Sequence, residues 1–322
     1  MSAPIAIGVA GVGSLGRHHA RVLAGLEGVR AAGVYDVRPE RAAEVAAEFG
    51  IPAAPTLEAL IDSCEAVVVA TPTVAHRDTA AAALDAGRHV LVEKPMTATL
   101  EEADDLIARA ARRGVVLQVG HIERFNPAVE AALPLAAGAR FIETHRLGVF
   151  TARSLDVDVV LDLMIHDLQI AQAIVARPVA EVRAAGVAVL TPRIDIANAR
   201  IAFEGGCVAN LTASRVSVDK VRKFRVFAPE HYVSIDMGTQ EIGAVRLLPG
   251  PDGKPAIVPA SIAVAKEEPL RRELASFAAA CRGAAPLVSG SEGRAALALA
   301  LDVRAAIEQH QRTAATGRAV VA

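Results

Sequence analysis

Two short stretches carry the groups able to move a proton. Glu93-Lys94-Pro95 sets an acid and an amine before a proline, and Leu161-Asp162-Leu163-Met164-Ile165-His166-Asp167 sets Asp162 four residues before His166. At that spacing on a helix the carboxylate and the imidazole share a face. A carboxylate there orients the ring and favours its protonated form, which suits a general base. Lysine is scarce in this chain: there are five, Lys94, Lys220, Lys223, Lys254 and Lys266, against twenty-nine arginines. Surface charge here is carried by arginine, so a lysine at 94 reads as chemistry, with a solvated surface residue as the bland alternative. Pro95 restricts the backbone on which Lys94 stands.

A third stretch binds rather than reacts. The apolar run Ala6-Ile7-Gly8-Val9-Ala10 leads into Gly11-Val12-Gly13-Ser14-Leu15-Gly16, and an acid, Asp36, ends the next apolar run twenty positions past Gly16. Strand, glycine turn, helix and distal acid together are the dinucleotide pattern. Gly11 makes the turn, Gly13 lets backbone approach a pyrophosphate, and Gly16 lets helix pack on strand. The free N–H groups at the helix start receive the phosphates. Asp36 is placed to accept the ribose hydroxyls, which favours NAD, while Arg38 keeps a 2′-phosphate and hence NADP open. Asp36 as the N-cap of the following helix is the structural alternative.

These groups need a scaffold, and the pattern supplies one. Strands are expected over 5–10, 30–35, 66–70, 89–92 and 115–119, with helices over 15–26, 39–49, 56–61, 74–86 and 99–113. Short apolar strands alternating with helices specify a doubly wound parallel sheet. Ligands bind beyond the carboxyl ends of such strands, so the loops at 11–16, 36–38, 71–73, 93–96 and 120–124 are the ones to inspect. Past Gly120 the texture changes. A helical segment at 127–136 leads to a strand at 140–149 and an apolar helix at 157–176. Strands follow at 182–190, 195–203, 207–214, 223–228, 232–236 and 244–248, with Glu204-Gly205-Gly206 as a hairpin turn. Pro249–Pro255 reads as a loop, and helices follow at 271–282 and 293–311. The fold class is therefore α/β, with an N-terminal domain over 1–121. A C-terminal α+β domain over 122–322 carries an open, mostly antiparallel sheet, and helices at about 268–312 return to the first domain. The uncovered sheet face suggests self-association as a dimer or tetramer.

Composition narrows the setting. At 322 residues the chain exceeds one ordinary core, and a net charge of −2 gives no bulk attraction to nucleic acid or membrane. No apolar run reaches the ~18 residues of a bilayer span. Cys64, Cys207 and Cys281 are few and far apart, as expected of reduced thiols in a cytoplasmic protein, with no metal site among them.

The motifs Gly11-x-Gly13-x-x-Gly16, Ala70-Thr71-Pro72, Glu93-Lys94-Pro95 and Asp162-x-x-x-His166 occur in that order. Together they resemble the glucose–fructose oxidoreductase / inositol dehydrogenase / MocA family across nearly the whole chain. The resemblance implies a Rossmann domain, an open-sheet substrate domain and NAD(P)-linked redox of a sugar-like alcohol. It implies Lys94 and His166 as the catalytic pair, supported by Asp162. It implies cofactor contacts from Gly11, Gly13, Ser14, Leu15, Gly16, Asp36, Arg38, Thr71, Pro72, His76, Glu93 and Lys94. Met164 and Gln169 depart from the glycine and aspartate often found there. The segments 119–127 and 159–167 look most like the UDP-N-acetylglucosamine 3-dehydrogenase branch, which implies a sugar-nucleotide substrate. Besides Lys94, Asp162 and His166, Arg124, Asn126 and Arg153 are then the groups available to its diphosphate or hydroxyls. A free sugar or polyol is the alternative substrate. A non-catalytic dinucleotide sensor is the alternative of another class, and the intact Lys94, Asp162 and His166 set speaks against it.

Overall fold

Parallel strands buried on both faces must be apolar throughout, and this is how the first strands are built. In the computed structural model, which describes residues 3–151, 157–250 and 254–318, the chain forms two compact units. One is Met1–Phe125 with Glu267–Ala295, the other Asn126–Lys266 with Ala296–Ala322. The first unit holds β1 (Ile5–Ala10), β2 (Val29–Tyr35), β3 (Ala66–Val69), β4 (His89–Glu93) and β5 (Leu117–Gly120). β1, β3 and β5 are buried along their whole length. All pairs are parallel, in the order β2-β1-β3-β4-β5, so the winding reverses between β1 and β3. Between the strands run α1 (Ser14–Ala24), α2 (Pro39–Phe49), α3 (Leu57–Asp62), α4 (Thr73–Asp85) and α5 (Leu100–Arg113). Their ends obey local chemistry. Thr99 and Glu102 form a reciprocal capping box at the start of α5, and Gly114 closes it at φ 64°. Residues Ile122–Phe125, which the sequence pattern assigns to the second domain, form a 3₁₀ turn that belongs to the first unit.

The second unit is an eight-stranded sheet ordered β13-β12-β11-β10-β6-β9-β8-β7. Its strands are β6 (Phe141–Leu147), β7 (Val179–Val187), β8 (Ile196–Phe203), β9 (Val208–Ser214), β10 (Val221–Ala228), β11 (His231–Asp236), β12 (Glu241–Pro249) and β13 (Pro255–Ala260). Only β6 and β9 pair in parallel; the rest are antiparallel. Alternation decides the faces. Ile142, Ala199, Ile201, Leu211, Phe224 and Val226 point into the core. On the opposite face Glu143, His145, Asn198, Arg200, Asn210 and Thr212 line a depression of about 390 Å³. Ahead of the sheet stands α6 (Pro127–Ala132), and between β6 and β7 lies α7 (Ile165–Val175). The sequence pattern reads 157–176 as one α-helix, but Val160–Met164 is a π turn leading into α7. β13 is missed by that pattern because Pro255 and Pro259 argue against a strand. It lies at the sheet edge, the one place that tolerates them.

Two helices complete the chain. α8 (Pro269–Ala280) belongs to the first unit, where Leu274 and Phe277 join Ile5, Ile7, Leu23, Val45 and Leu91 in one core. α9 (Gly290–Arg318) begins there, but from Ala296 onward it belongs to the second unit. The expectation that the final helices return entirely to the first domain is thus corrected. Gly186 of β7 has no side chain, so Ile307 packs against it, and the Gln311 amide donates to the Gly186 carbonyl at 2.9 Å.

Arg146 and Asp167 form a buried ion pair in the second unit. Arg146 of β6 donates twice to Asp167 of α7, at 2.7 and 3.1 Å, and both side chains are almost fully enclosed. Breaking such a pair from one side leaves a buried charge uncompensated. We expect Arg146→Met to lower unfolding free energy by about 3–5 kcal/mol, and urea denaturation measures it.

Candidate active site

In the first unit the glycines behave as three different parts. Gly11 sits at φ 85°, and a Cβ there would lie 2.7 Å from the Thr71 nitrogen. A Cβ on Gly16 would lie 1.8 Å from the Gly11 carbonyl, so the helix is seated directly on the turn. A Cβ on Gly13 would meet nothing within 4 Å. α1 then starts at Ser14 with no side-chain cap and no acid in its first turn. That combination leaves an open cradle of backbone N–H groups at the positive end of a helix, suited to a diphosphate. Leu15 is exposed beside it.

Asp36, expected at the ribose, is bonded to the chain's own backbone. One carboxylate oxygen accepts from the Val12 N–H at 2.9 Å, and the other accepts from the Arg38 N–H at 3.0 Å. The side chain is buried and holds the glycine loop in shape; Oδ1 also takes the Arg38 Nε–H, while Oδ2 keeps a further lone pair for a ligand hydroxyl. The Arg38 guanidinium is exposed, 3.5 Å from the same carboxylate. Thr71, in the loop after β3, has a buried hydroxyl with no hydrogen-bond partner. Orphaned polar atoms of this kind call for a ligand or water. Thr71 and the adjacent Pro72, which starts α4 without a side-chain cap, thus fit a bound dinucleotide.

Two residues expected at the cofactor face inward instead. His76 is buried, with Nε2 2.8 Å from the Thr71 carbonyl and Nδ1 3.0 Å from the Pro95 carbonyl. Burial holds its pKa below the usual histidine range, so the ring is neutral, and its single N–H donates to one of these two carbonyls, between the loop after β3 and the loop after β4. Glu93 likewise turns into the unit. His19 Nε2 lies 2.7 Å from one oxygen, and the other accepts the Lys94 N–H at 3.2 Å. Lys94 itself is half-buried, before a cis Pro95. His121, singled out by no motif of its own, lies in the field of Lys94. Burial first, then the Lys94 charge, pushes its pKa down to about 3. Arg124 is buried nearby and acts on His121 in the same direction.

In the second unit Asp158 organises the start of the helix that carries Asp162 and His166. Its carboxylate accepts from the Val160 and Leu161 N–H groups at 3.0 and 3.1 Å, and Arg304 pairs with it at 2.8 Å. Asp162 then falls in the π turn and His166 in the first turn of α7, where it is 8% exposed. π turns recur at functional sites because they re-aim side chains within a helix. Met164 and Gln169, the two departures from the family pattern, are both buried. Asn126 is not a free sugar contact. It is 1% exposed, its oxygen caps α6 at Ala128 N–H, and its amide donates to the Met237 carbonyl at 3.0 Å. Arg153 lies outside the described residues. Asp158, Arg146 and Asp167 escaped the sequence reading, because nothing in a local pattern marks a cap or a cross-element ion pair.

A parallel sheet with a phosphate cradle at its switch point, followed by an open sheet with a His-bearing helix, defines a Rossmann-domain dehydrogenase. Comparison with known proteins supplies the family. Residues 5–121 match the description "Oxidoreductase family, NAD-binding Rossmann fold", and residues 139–233 match the GFO/IDH/MocA C-terminal domain. The chain is 41% identical to a UDP-N-acetylglucosamine 3-dehydrogenase of Acidithiobacillus ferrooxidans over 94% of its length and 96% of that protein's. The solved structure of UDP-N-acetylglucosamine 3-dehydrogenase GnnA from that organism superposes with a TM-score of 0.87 at 39% identity, covering 96% of this chain and 99% of that one. A scyllo-inositol 2-dehydrogenase (NAD(+)) of Bacillus subtilis is 30% identical over 65% of this chain and 67% of its own. The chain belongs to the Gfo/Idh/MocA family of NAD-binding oxidoreductases. It is an enzyme of that class, acting on CH–OH groups. Among the described residues no helix is long and apolar enough to cross a membrane.

Two outcomes follow from this geometry. Gly13→Ala should leave thermal unfolding nearly unchanged and weaken NAD binding, whereas Gly16→Ala should cost about 1–3 kcal/mol of stability as an overpacking change; calorimetry with NAD titration separates them. His121 has a folded-state pKa below its unfolded value. Its stabilising contribution is therefore present above the ordinary value of 6.5 and falls away as pH drops from there toward about 3. Melting temperature should decline from pH 7 to pH 5, and less steeply in His121→Gln.

Proposed function

We propose that this enzyme uses NAD to oxidise the 3-hydroxyl of UDP-N-acetylglucosamine, the first step toward a 3-amino sugar nucleotide. The observation that carries the reading is similarity to a UDP-N-acetylglucosamine 3-dehydrogenase over almost the full length of both chains. It is supported by retention of Lys94, Asp162 and His166.

NAD, when bound, accepts the hydride leaving the carbinol carbon. The remaining work falls to this chain's residues. An imidazole nitrogen of His166 accepts the hydroxyl proton, and Asp162 orients the ring and stabilises the imidazolium that results. The Lys94 ammonium hydrogen-bonds the reacting oxygen as its charge develops. Backbone N–H groups at Ser14–Gly16, together with the Thr71 hydroxyl, hold the cofactor's phosphates and ribose. Asp36 favours NAD over NADP, because a 2′-phosphate would meet its carboxylate; Arg38 beside it is the residue to vary if NADP is used. Arg124 and Arg153 are the cations for the substrate diphosphate. Self-association is proposed through the uncovered sheet face, where Phe141, Phe227 and Tyr232 cluster with ring centroids 5.8 and 5.0 Å apart.

Absorbance at the NADH band, with NAD and a panel of UDP-sugars and free polyols, tests the substrate. NADH should form with UDP-N-acetylglucosamine. Turnover with a polyol alone would keep the family chemistry and discard the sugar nucleotide, while tight NAD binding without any turnover would favour a sensor. His166→Ala should lower kcat by about 10²–10⁴-fold with little change in NAD affinity. An active His166→Ala enzyme would remove the general-base role.

A further inference from the structure

Beneath the Lys94 loop, inside the first unit, lies a cluster that the reaction does not use. His19 of α1, Glu93 at the end of β4 and Glu273 of α8 bring one nitrogen and two carboxyl oxygens within 4.8 Å of one another. All three side chains are buried, Glu273 completely. Both Glu273 oxygens lack a hydrogen-bond partner. Glu93, by contrast, is held on both sides, by His19 at 2.7 Å and by the Lys94 N–H at 3.2 Å. Gly120 backs it closely, since a Cβ there would lie 3.0 Å from the Glu93 carboxylate.

Two ionised carboxylates cannot share such a place. One of them keeps a proton, as in carboxyl pairs generally. Glu93 has the donors, so Glu273 has the proton. The surrounding charges agree. Burial alone would raise Glu93, but the His19 hydrogen bond and the Lys94 charge outweigh it and hold it below the usual carboxylate range. Burial and the Glu93 charge push Glu273 well above it. Among the described residues, the 3₁₀ turn that packs against α8, with the residue before it, brings the ionisable groups His121, Glu123 and Arg124. A metal ion would fit the residue types, but the 2.7 Å between His19 and Glu93 is a hydrogen-bond distance. Ligands about 2.0–2.2 Å from a shared cation stand farther apart.

We propose that His19, Glu93 and Glu273 form a positioning cluster for Lys94, in which a neutral Glu273 acid abuts the Glu93 carboxylate and thereby fixes the loop that presents the Lys94 amine. This rests on the reading of Lys94 as the residue that holds the reacting oxygen. The residues act through Lys94 and touch no substrate atom.

The test compares Glu273→Met, Glu273→Gln and Lys94→Met in the full chain, with NAD and UDP-N-acetylglucosamine. Methionine fills the space without a polar group, so kcat should fall about tenfold to a hundredfold, as for other small misplacements of a reacting group, with the KM for NAD nearly unchanged. Glutamine mimics the neutral acid and should restore most of the loss. A second readout needs no turnover. Because the folded-state pKa of Glu273 is raised, wild-type stability is greatest below the unfolded value of 4.5 and is lost as pH rises toward the folded value. Glu273→Gln does not titrate, so its melting temperature should exceed wild type at pH 8, with the gap narrowing toward pH 5. Glu273→Gln as impaired as Glu273→Met, or a normal kcat in Glu273→Met beside an inactive Lys94→Met, overturns the cluster alone. An active Lys94→Met overturns the reading of Lys94 and the positioning role with it. A fall in melting temperature on adding EDTA would show a bound cation in place of the proton and also overturn the proposal.

Discussion

The dinucleotide end of this enzyme depends on one contact that a side chain would forbid. Gly16 rests on the carbonyl of Gly11, at a distance where a methyl group would overlap the oxygen. Because α1 can sit that close, its unpaired N–H groups open at the end of β1, where the strand order reverses toward β3. Gly11 in turn touches the backbone at Thr71, which brings the loop after β3 to the same place. Asp36 then closes the arrangement by accepting the Val12 N–H. Each loop is held by the next, so the cradle is rigid before any ligand arrives.

Buried polar groups extend that chain of ties toward Lys94. His76 stands between the loop after β3 and the one after β4, with its one N–H given to a backbone carbonyl. Glu93, from the other side, takes the Lys94 N–H and the His19 imidazole. In water such bonds are exchanged for others at little gain, but in a dry interior an unmade one costs the full desolvation of the group. The loop has few alternatives to the conformation it adopts. The second unit uses the same device, with Asp158 capping the π turn and the Arg146–Asp167 pair pinning α7 to β6.

The π turn sets the aim of the side chains it carries. Asp162 lies within it and His166 just after, while Met164 occupies a position where the family often has glycine. Met164 is fully buried, so its side chain fills interior volume that a glycine would not.

Much of the architecture was legible from residue order. Short apolar strands, glycine stops and the 3.6-residue repeat are local signals, and they located all five strands of the first sheet and the glycine cradle. They also selected Lys94, Asp162 and His166 by type and spacing. Local signals could not separate a ligand contact from an internal tie, because both need the same polar side chain. His76, Glu93 and Asn126 read as binding residues, and only the folded chain turned them inward to carbonyls, an imidazole and a helix cap. β13 and the course of α9 were likewise tertiary decisions, one set by an edge that tolerates proline and the other by a glycine that admits Ile307. The approach of Glu273 to within 4.8 Å of Glu93 brings together residues 180 positions apart, and no pattern in the sequence marks it. Sequence determined which groups were available; the fold decided which of them face each other and which are left for a ligand, since desolvation acts only once distant segments have closed around them.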